Sequence, residues 1–159
     1  MSLRNFMISH KELKSQIEIQ ASPDHVWEIL TDFPSYGEWN PFITFILGEA
    51  RVGTRLKMKI RPVGGHPWDF KPKVLVSDPP RELRWLGSLW IHGLFDGEHI
   101  FTIQTLSGNR VCFMQSEQFS GILVPLTPRR LWDQSLEGFR LMNEGLKVRA
   151  EGPSQSFSS

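Results

Sequence analysis

Three polar residues interrupt two otherwise apolar strand faces. In the run Glu98 to Ile103, His99 shares a side with Phe101 and Ile103. In the run that follows, Gln115 and Glu117 share a side with Val111, Phe113 and Phe119. An imidazole and a carboxylate are the usual side chains for moving a proton, and an amide beside them can orient either one. If these sides face the interior, the carboxylate needs a partner, because a charge taken out of water is costly unless it is paired. Ser107-Gly108-Asn109 is a hairpin signal between the two runs. A hairpin centred on Gly108 sets His99 opposite Glu117. Three readings of the group stand side by side. It is a pair that holds the hairpin in register or lies outward in solvent, a polar contact for an apolar ligand, or an acid/base pair. Glu98, on the other side, reads as solvated.

Other chemistries find less support. His10, His25, His66, His92 and His99 show no HExxH-type spacing, and the lone Cys112 offers no zinc ligand set. A His92–His99–Glu117 metal site is the weakest of the readings, so no metal or cofactor is expected. There is no GxSxG elbow, and Cys112 falls on the strand face opposite Glu117, which argues against nucleophilic catalysis. Gly64-Gly65-His66-Pro67 is not a phosphate loop. A net charge of +1 gives no long-range field to draw in nucleic acid or anionic lipid. Arg55, Lys57, Lys59 and Arg61 line one strand face, most simply a solvated one.

Aromatic residues supply the bulk around the polar group. The chain has six tryptophans and eleven phenylalanines against one tyrosine, so its aromatic mass carries few hydroxyls. Trp39, Phe42, Trp68, Phe70, Trp85, Trp90, Phe101, Phe119, Trp132 and Phe139 are candidates to line an apolar cavity, and Met142 joins them from the last helix. Taken singly, each is more often a core residue. Taken together, large rigid rings packed on one helix leave irregular gaps. Two loops, Gly87 to Gly97 and Gly121 to Pro128, are too apolar for ordinary surface loops. They read as a cavity mouth, with a partner- or membrane-facing patch, or a cover over the sheet's open end, as the alternatives.

The elements that must position these residues are legible. Lys14 to Ala21 alternates as a half-buried strand. Ser22 offers an N-cap oxygen, Pro23 suits the first helical position, and the helix ends by about Asp32 before Pro34. A second short helix spans Tyr36 to Asn40. Leu56, Met58 and Ile60 alternate with basic residues, and Trp68, Phe70, Val74 and Val76 share one face of a run that Pro72 interrupts, an edge strand or a bulge. Leu83 and Trp85 alternate ahead of the two long strands. From Pro128 to Arg149, Leu131, Trp132, Leu136, Phe139, Met142 and Leu146 fall on one arc of a helix. Arg129–Asp133 and Arg140–Glu144 are spaced for helical ion pairs, each worth only ~0.3 kcal/mol. Gly138 and Gly145 border the arc, for close backbone approach to a sheet or to leave room for a ligand. Successive antiparallel strands closed by a terminal helix make an α+β protein.

The order of a strand, ASPDHVWEILTDFPSYGEWNPFI, a strand meander, FDGEHIFTI, SEQFSGILVP and a long final helix resembles the START-like superfamily, also called SRPBCC, and most nearly its polyketide cyclase/dehydrase and lipid-transport group. The resemblance covers roughly residues 13–150. It implies a helix-grip fold, a curved antiparallel sheet of about seven strands wrapped around the C-terminal helix, with two short helices after the first strand. It also implies an apolar cavity between sheet and helix. Residues 1–12 then form an N-terminal extension and 151–159 a flexible tail. The implied function is binding of a small hydrophobic or aromatic ligand, as carrier or sensor. The expected contacts are Trp39, Phe70, Trp85, Trp90, His99, Phe101, Gln115, Glu117, Phe119, Trp132, Phe139 and Met142. The alternatives are a polyketide cyclase/aromatase-type enzyme using His99 and Glu117, and a protein-interaction module. Relatives of this kind include monomers and dimers, so a homodimer stays open. No nucleic acid and no transmembrane segment is expected. The N-terminus lacks an apolar signal core and the single cysteine suits a reducing compartment, so the expected location is the cytoplasm.

Overall fold

A computed structural model of the chain describes residues 9–152. Strand β1 (Ser9–Ile19) is followed by helix α1 (Pro23–Thr31), a 3₁₀ turn at Phe33–Ser35 and the short helix α2 (Tyr36–Trp39). Strands β2 (Ile43–Leu47), β3 (Lys57–Ile60), β4 (Trp68–Phe70), β5 (Lys73–Asp78), β6 (Glu82–Ser88), β7 (Asp96–Leu106) and β8 (Arg110–Gly121) come next, and helix α3 (Arg129–Glu151) closes the chain. Among the described residues no helix is long and apolar enough to cross a membrane.

The architecture is α+β, with every strand pair antiparallel. Instead of one sheet of about seven strands, the eight form a five-stranded curved sheet in the order β1-β8-β7-β6-β5 and a three-stranded sheet in the order β2-β3-β4. Pro72 is the reason the run from Trp68 to Val76 is two strands rather than one. Proline has no N–H for a ladder, so the chain leaves β4 there and re-enters as β5 in the other sheet. The sheets meet at that seam, where Arg55 bridges Lys73 and the Val74 N–H donates to the Thr54 carbonyl at 2.9 Å. A register shift between Val74 and Val76 adds a bulge just beyond it.

At the other end, β1 starts at Ser9, so residues 9–12 of the expected extension pair with β8. Residues 1–8, and all of the expected tail but Glu151 and Gly152, lie outside the described residues. Glu151 is still helical and accepts from the Gln20 N–H at 2.9 Å.

The helices follow their sequence signals. The Ser22 hydroxyl accepts from the His25 N–H at 3.2 Å, Pro23 opens α1, and Val26 and Leu30 are its buried face. Helix α3 packs on β1, α1 and α2, and buries Phe139, Met142 and Leu146. Arg129 pairs with Asp133 at 3.9 Å as its spacing predicts, but Arg140 turns to Glu137 at 3.5 Å rather than to Glu144. Residues three apart are helical neighbours as much as residues four apart. Gly138 and Gly145 serve neither the sheet nor a ligand directly. A Cβ on Gly138 would lie 2.2 Å from the Phe42 ring, and one on Gly145 would lie 2.4 Å from the Trp39 carbonyl oxygen. They seat the Trp-Asn-Pro corner between α2 and β2 against the helix. In that corner the buried Asn40 Oδ1 accepts from the N–H groups of Phe42 at 3.0 Å and Ile43 at 2.9 Å, which launches β2.

Candidate functional site

A cavity of about 390 Å³ lies between the two sheets and the N-terminal half of α3. That volume falls within the usual range for small-molecule sites. The three-stranded sheet contributes Ile43, Met58, Ile60, Trp68 and Phe70, with Phe42 just before β2 and Pro62 just after β3. The five-stranded sheet contributes Trp85 and Gly87 from β6, Gly97 and His99 from β7, and Glu117 and Phe119 from β8. Helix α3 brings Leu131, Trp132, Gln134 and Ser135, and the two apolar loops bring Leu89, Phe95 and Thr127. Phe95, Phe119 and Trp132 form an aromatic cluster with centroids 4.8–6.0 Å apart, joining loop, sheet and helix.

Two glycines shape the wall. A Cβ on Gly87 would meet the Phe70 ring at 2.0 Å, so its absence lets a ring from one sheet rest against the other. A Cβ on Gly97 would lie 2.6 Å from Glu117 Oε1, so Gly97 makes the space in which that carboxyl sits.

The β7–β8 hairpin has the register expected, with His99 opposite Glu117. His99 Nδ1 is 3.5 Å from Glu117 Oε2. On its other edge, His99 Nε2 is 3.0 Å from Gln115 Oε1. Gln115 is fully buried, and its Nε2 donates to the Phe139 carbonyl at 2.9 Å and to Asn143 Oδ1 at 2.6 Å. Asn143 Nδ2 then donates to the Ser15 hydroxyl at 2.9 Å. This chain fixes the tautomer of His99. The Phe139 carbonyl can only accept, so the Gln115 nitrogen lies on that side and its oxygen faces the imidazole. His99 Nε2 must therefore carry a hydrogen. A neutral His99 then turns the Nδ1 lone pair toward a carboxylate oxygen. The ring itself is clamped, stacked on Phe101 at 4.3 Å and edge-on to Phe139 at 4.9 Å. The arrangement is a fixed imidazole beside a carboxyl that opens onto an apolar cavity.

Of the residues expected to contact a ligand, Phe70, Trp85, His99, Glu117, Phe119 and Trp132 line the cavity. Phe101, Gln115, Phe139 and Met142 are fully buried outside its wall, and Gln115, Phe101 and Phe139 hold His99 in place. Trp39 packs on Tyr36 with ring centroids 4.8 Å apart, at the far end of α2. Trp90 is 82% exposed, at a positive φ of 64°, and is not part of the cavity wall. The two apolar loops bond to each other, Ile122 N–H to the Gly93 carbonyl at 3.3 Å and Leu123 N–H to the Leu94 carbonyl at 3.0 Å. The buried Asp96 accepts from the Gly93 N–H at 3.0 Å and contacts His92 Nδ1 at 2.9 Å, pinning the first loop. Met58 and Ile60 were visible as one face of an alternating strand, but nothing in sequence says that β3 faces β7 across a cavity. Among the described residues no group of three or more His, Cys, Asp or Glu is placed to hold a metal ion.

Residues 10–139 match the family described as polyketide cyclase / dehydrase and lipid transport. No curated protein matches the chain. Solved structures share its fold at low identity. A START superfamily protein from Mycobacterium smegmatis is 19% identical, with a TM-score of 0.71 over 90% of this chain and 98% of that one. Truncated norcoclaurine synthase from Thalictrum flavum is 16% identical, with a TM-score of 0.64 over 89% of this chain and 94% of that one. The protein CV1439 from Chromobacterium violaceum is 20% identical, with a TM-score of 0.65 over 89% and 99%.

Proposed function

The chain belongs to the polyketide cyclase / dehydrase and lipid transport family, and from that premise we propose that it binds a small hydrophobic or aromatic molecule between its sheets and α3, as a carrier or sensor. The observation that carries this reading is the cavity wall. It is built from tryptophan, phenylalanine and aliphatic side chains, with the Glu117–His99 pair as its titratable group. A ligand with about 200 Å² of apolar surface gains about 5 kcal/mol of transfer free energy on entering, before the cost of association is subtracted. Trp85 and Trp132 line the space, so occupancy is expected to change their fluorescence. The lone Cys112 is half-buried and its sulfur pairs with no other cysteine, in keeping with a reducing, cytoplasmic setting.

Native mass spectrometry of the protein purified from its own host, followed by denaturing extraction, tests the reading. A discrete apolar molecule retained by the folded protein is the expected result. A protein that retains nothing, and whose melting temperature is unmoved by a panel of apolar aromatic compounds, refutes it. The His99–Glu117 pair favours a second reading, acid/base catalysis of a cyclase or dehydratase type inside the same cavity. Once a turnover is demonstrated, full activity in Glu117→Gln removes that role.

A further inference from the structure

We infer that the outer face of the three-stranded sheet docks on an anionic bilayer surface, with its lysines and arginines on the headgroups and Phe45 and Leu47 in the interfacial layer. A net charge of +1 conceals a separation of charge. Residues 43–74 carry seven basic residues against two acidic ones, a net of +5, so the rest of the chain carries −4. The alternation of β3 turns Leu56, Met58 and Ile60 inward and Arg55, Lys57, Lys59 and Arg61 outward, all four exposed. Lys73 faces Arg55 across the seam between the sheets, and the exposed Lys71 lies beside them, its carbonyl accepting from Arg55 Nη1 at 3.0 Å. Elsewhere among the described residues every lysine and arginine but Lys11 and Arg130 pairs with a carboxylate. On this face Lys59 alone does so, with Asp69 at 3.8 Å. Like charges side by side on a sheet are unfavourable, and an anionic surface relieves that cost.

Apolar side chains are interleaved with these cations. Phe45 stands opposite Lys59 and Leu47 opposite Lys57, and they are 48% and 62% exposed. That mixture selects the partner. Lysine is depleted at protein–protein interfaces, and Lys57, Lys59, Lys71 and Lys73 make up most of the charge here. Single-stranded nucleic acid needs successive rings for its bases to stack on, and this face offers the ring of Phe45. An aliphatic side chain such as Leu47 gains little against a base but partitions into the boundary between headgroups and acyl chains. Lysine stems lie along apolar surface and keep their ammonium groups at the phosphates. The negative remainder of the chain is repelled by the same anionic surface, which turns this face toward it. Met58, Ile60 and Phe70 of the same strands line the cavity from the inner side, so the docking surface is separate from the cavity.

Co-sedimentation of the full chain with vesicles of phosphatidylcholine, alone or mixed with phosphatidylglycerol, tests this at low and at high salt. The expected result is partition onto the anionic vesicles at least about tenfold above the neutral ones, falling as salt rises. Lys57→Gln/Lys73→Gln is expected to lower it about twentyfold, near fivefold for each charge. Leu47→Ser is expected to lower it about threefold to tenfold at either salt. Lys14→Gln, whose charge is paired with Glu12 on β1, is expected to stay within about twofold of the native chain. All these side chains are exposed, so each variant is expected to fold, which thermal melting checks. Equal partition onto both kinds of vesicle, or none onto either, overturns the inference. So does full binding by Lys57→Gln/Lys73→Gln, or a loss in Trp90→Ala instead, which places the contact on the apolar loops. Binding of a single-stranded oligonucleotide without binding of anionic vesicles overturns it in favour of nucleic acid.

Discussion

Replacing Gln115 by leucine tests the orientation chain at its centre. The shape is nearly conserved, so the change isolates hydrogen bonding from packing. Gln115 is fully buried and makes three contacts, with the Phe139 carbonyl, Asn143 Oδ1 and His99 Nε2. The Phe139 carbonyl can still serve its own helix, so the groups orphaned are Asn143 Oδ1 and the His99 N–H. Each buried orphan costs about 1–3 kcal/mol. Offset by the gain from an apolar side chain, the net loss is expected to be about 3 kcal/mol. Urea unfolding followed by tryptophan fluorescence measures it, with an unchanged m-value showing that stability and not compactness has moved. The double variant Gln115→Leu/Asn143→Leu removes donor and acceptor together and is expected to lose less than the two single losses added, by about 1–2 kcal/mol. The imidazole nitrogen shifts of His99 give a second readout, because losing the Gln115 acceptor frees the ring to place its hydrogen on Nδ1, facing Glu117. A loss below about 0.5 kcal/mol, with additive singles and unchanged imidazole shifts, refutes the orientation chain.

Tyr36 is the chain's one tyrosine, so tyrosinate absorbance reports on it alone. Burial first, and the nearby Asp32 charge second, push its phenol well above the usual range, and its hydroxyl donates to the Leu30 carbonyl. Because the folded value lies above the unfolded one near 10, the stabilisation is complete below about pH 10 and falls as pH rises through it. The expected outcome is a single alkaline transition in which tyrosinate appears together with loss of the tertiary signal. Gradual ionisation in the folded protein contradicts the burial. Trp90→Ala is expected to change stability by less than about 0.5 kcal/mol and to leave cavity binding unaltered, since the side chain is exposed and outside the wall. Thermal melts and naphthalene titrations check both halves. Gly87→Ala is expected to weaken ligand binding, because the new methyl displaces the Phe70 ring that lines the cavity. Unchanged affinity shows that the ring has another place to go.

Local signals carried most of the fold because they are local. The Ser22-Pro23 start of α1, the Pro34 stop, the hairpin at Gly108 and the apolar arc of α3 each depend on residues within a few positions of one another. The hairpin even gave the His99–Glu117 juxtaposition, since an antiparallel register follows from its turn. Division of the strands into two sheets was not legible. Pro72 marks an interruption, but which partner each half then takes depends on β3 and β6, far away in sequence. For the same reason the aromatic residues could not be sorted. Phe101 and Trp85 have similar sequence surroundings, yet one is packed beneath His99 and the other opens onto the cavity. Gln115 looked like a ligand contact, and its role in fixing the imidazole emerges only when the Phe139 carbonyl arrives from α3.

The two glycines of α3 separate cavity shape from stability. In an open helix, alanine is the better residue by about 1 kcal/mol, so each substitution starts with a gain that contact must reverse. At Gly145 the methyl meets the Trp39 carbonyl at 2.4 Å. That is backbone, held by the Asn40 Oδ1 bonds that start β2, and it cannot move without taking the corner along. At Gly138 the methyl meets the Phe42 ring at 2.2 Å. That ring already stands edge-on to Phe139 at 5.7 Å on one side and lines the cavity on the other, so the open direction is into the cavity. Gly145→Ala is therefore expected to lose about 1–3 kcal/mol of stability. It is expected to bind apolar ligands normally when folded. Gly138→Ala is expected to fold with a smaller loss and to bind them markedly less well. The opposite pattern, a severe stability loss at Gly138 with affinity intact, would mean that Phe42 is a core residue whose face toward the cavity has no bearing on what the cavity holds.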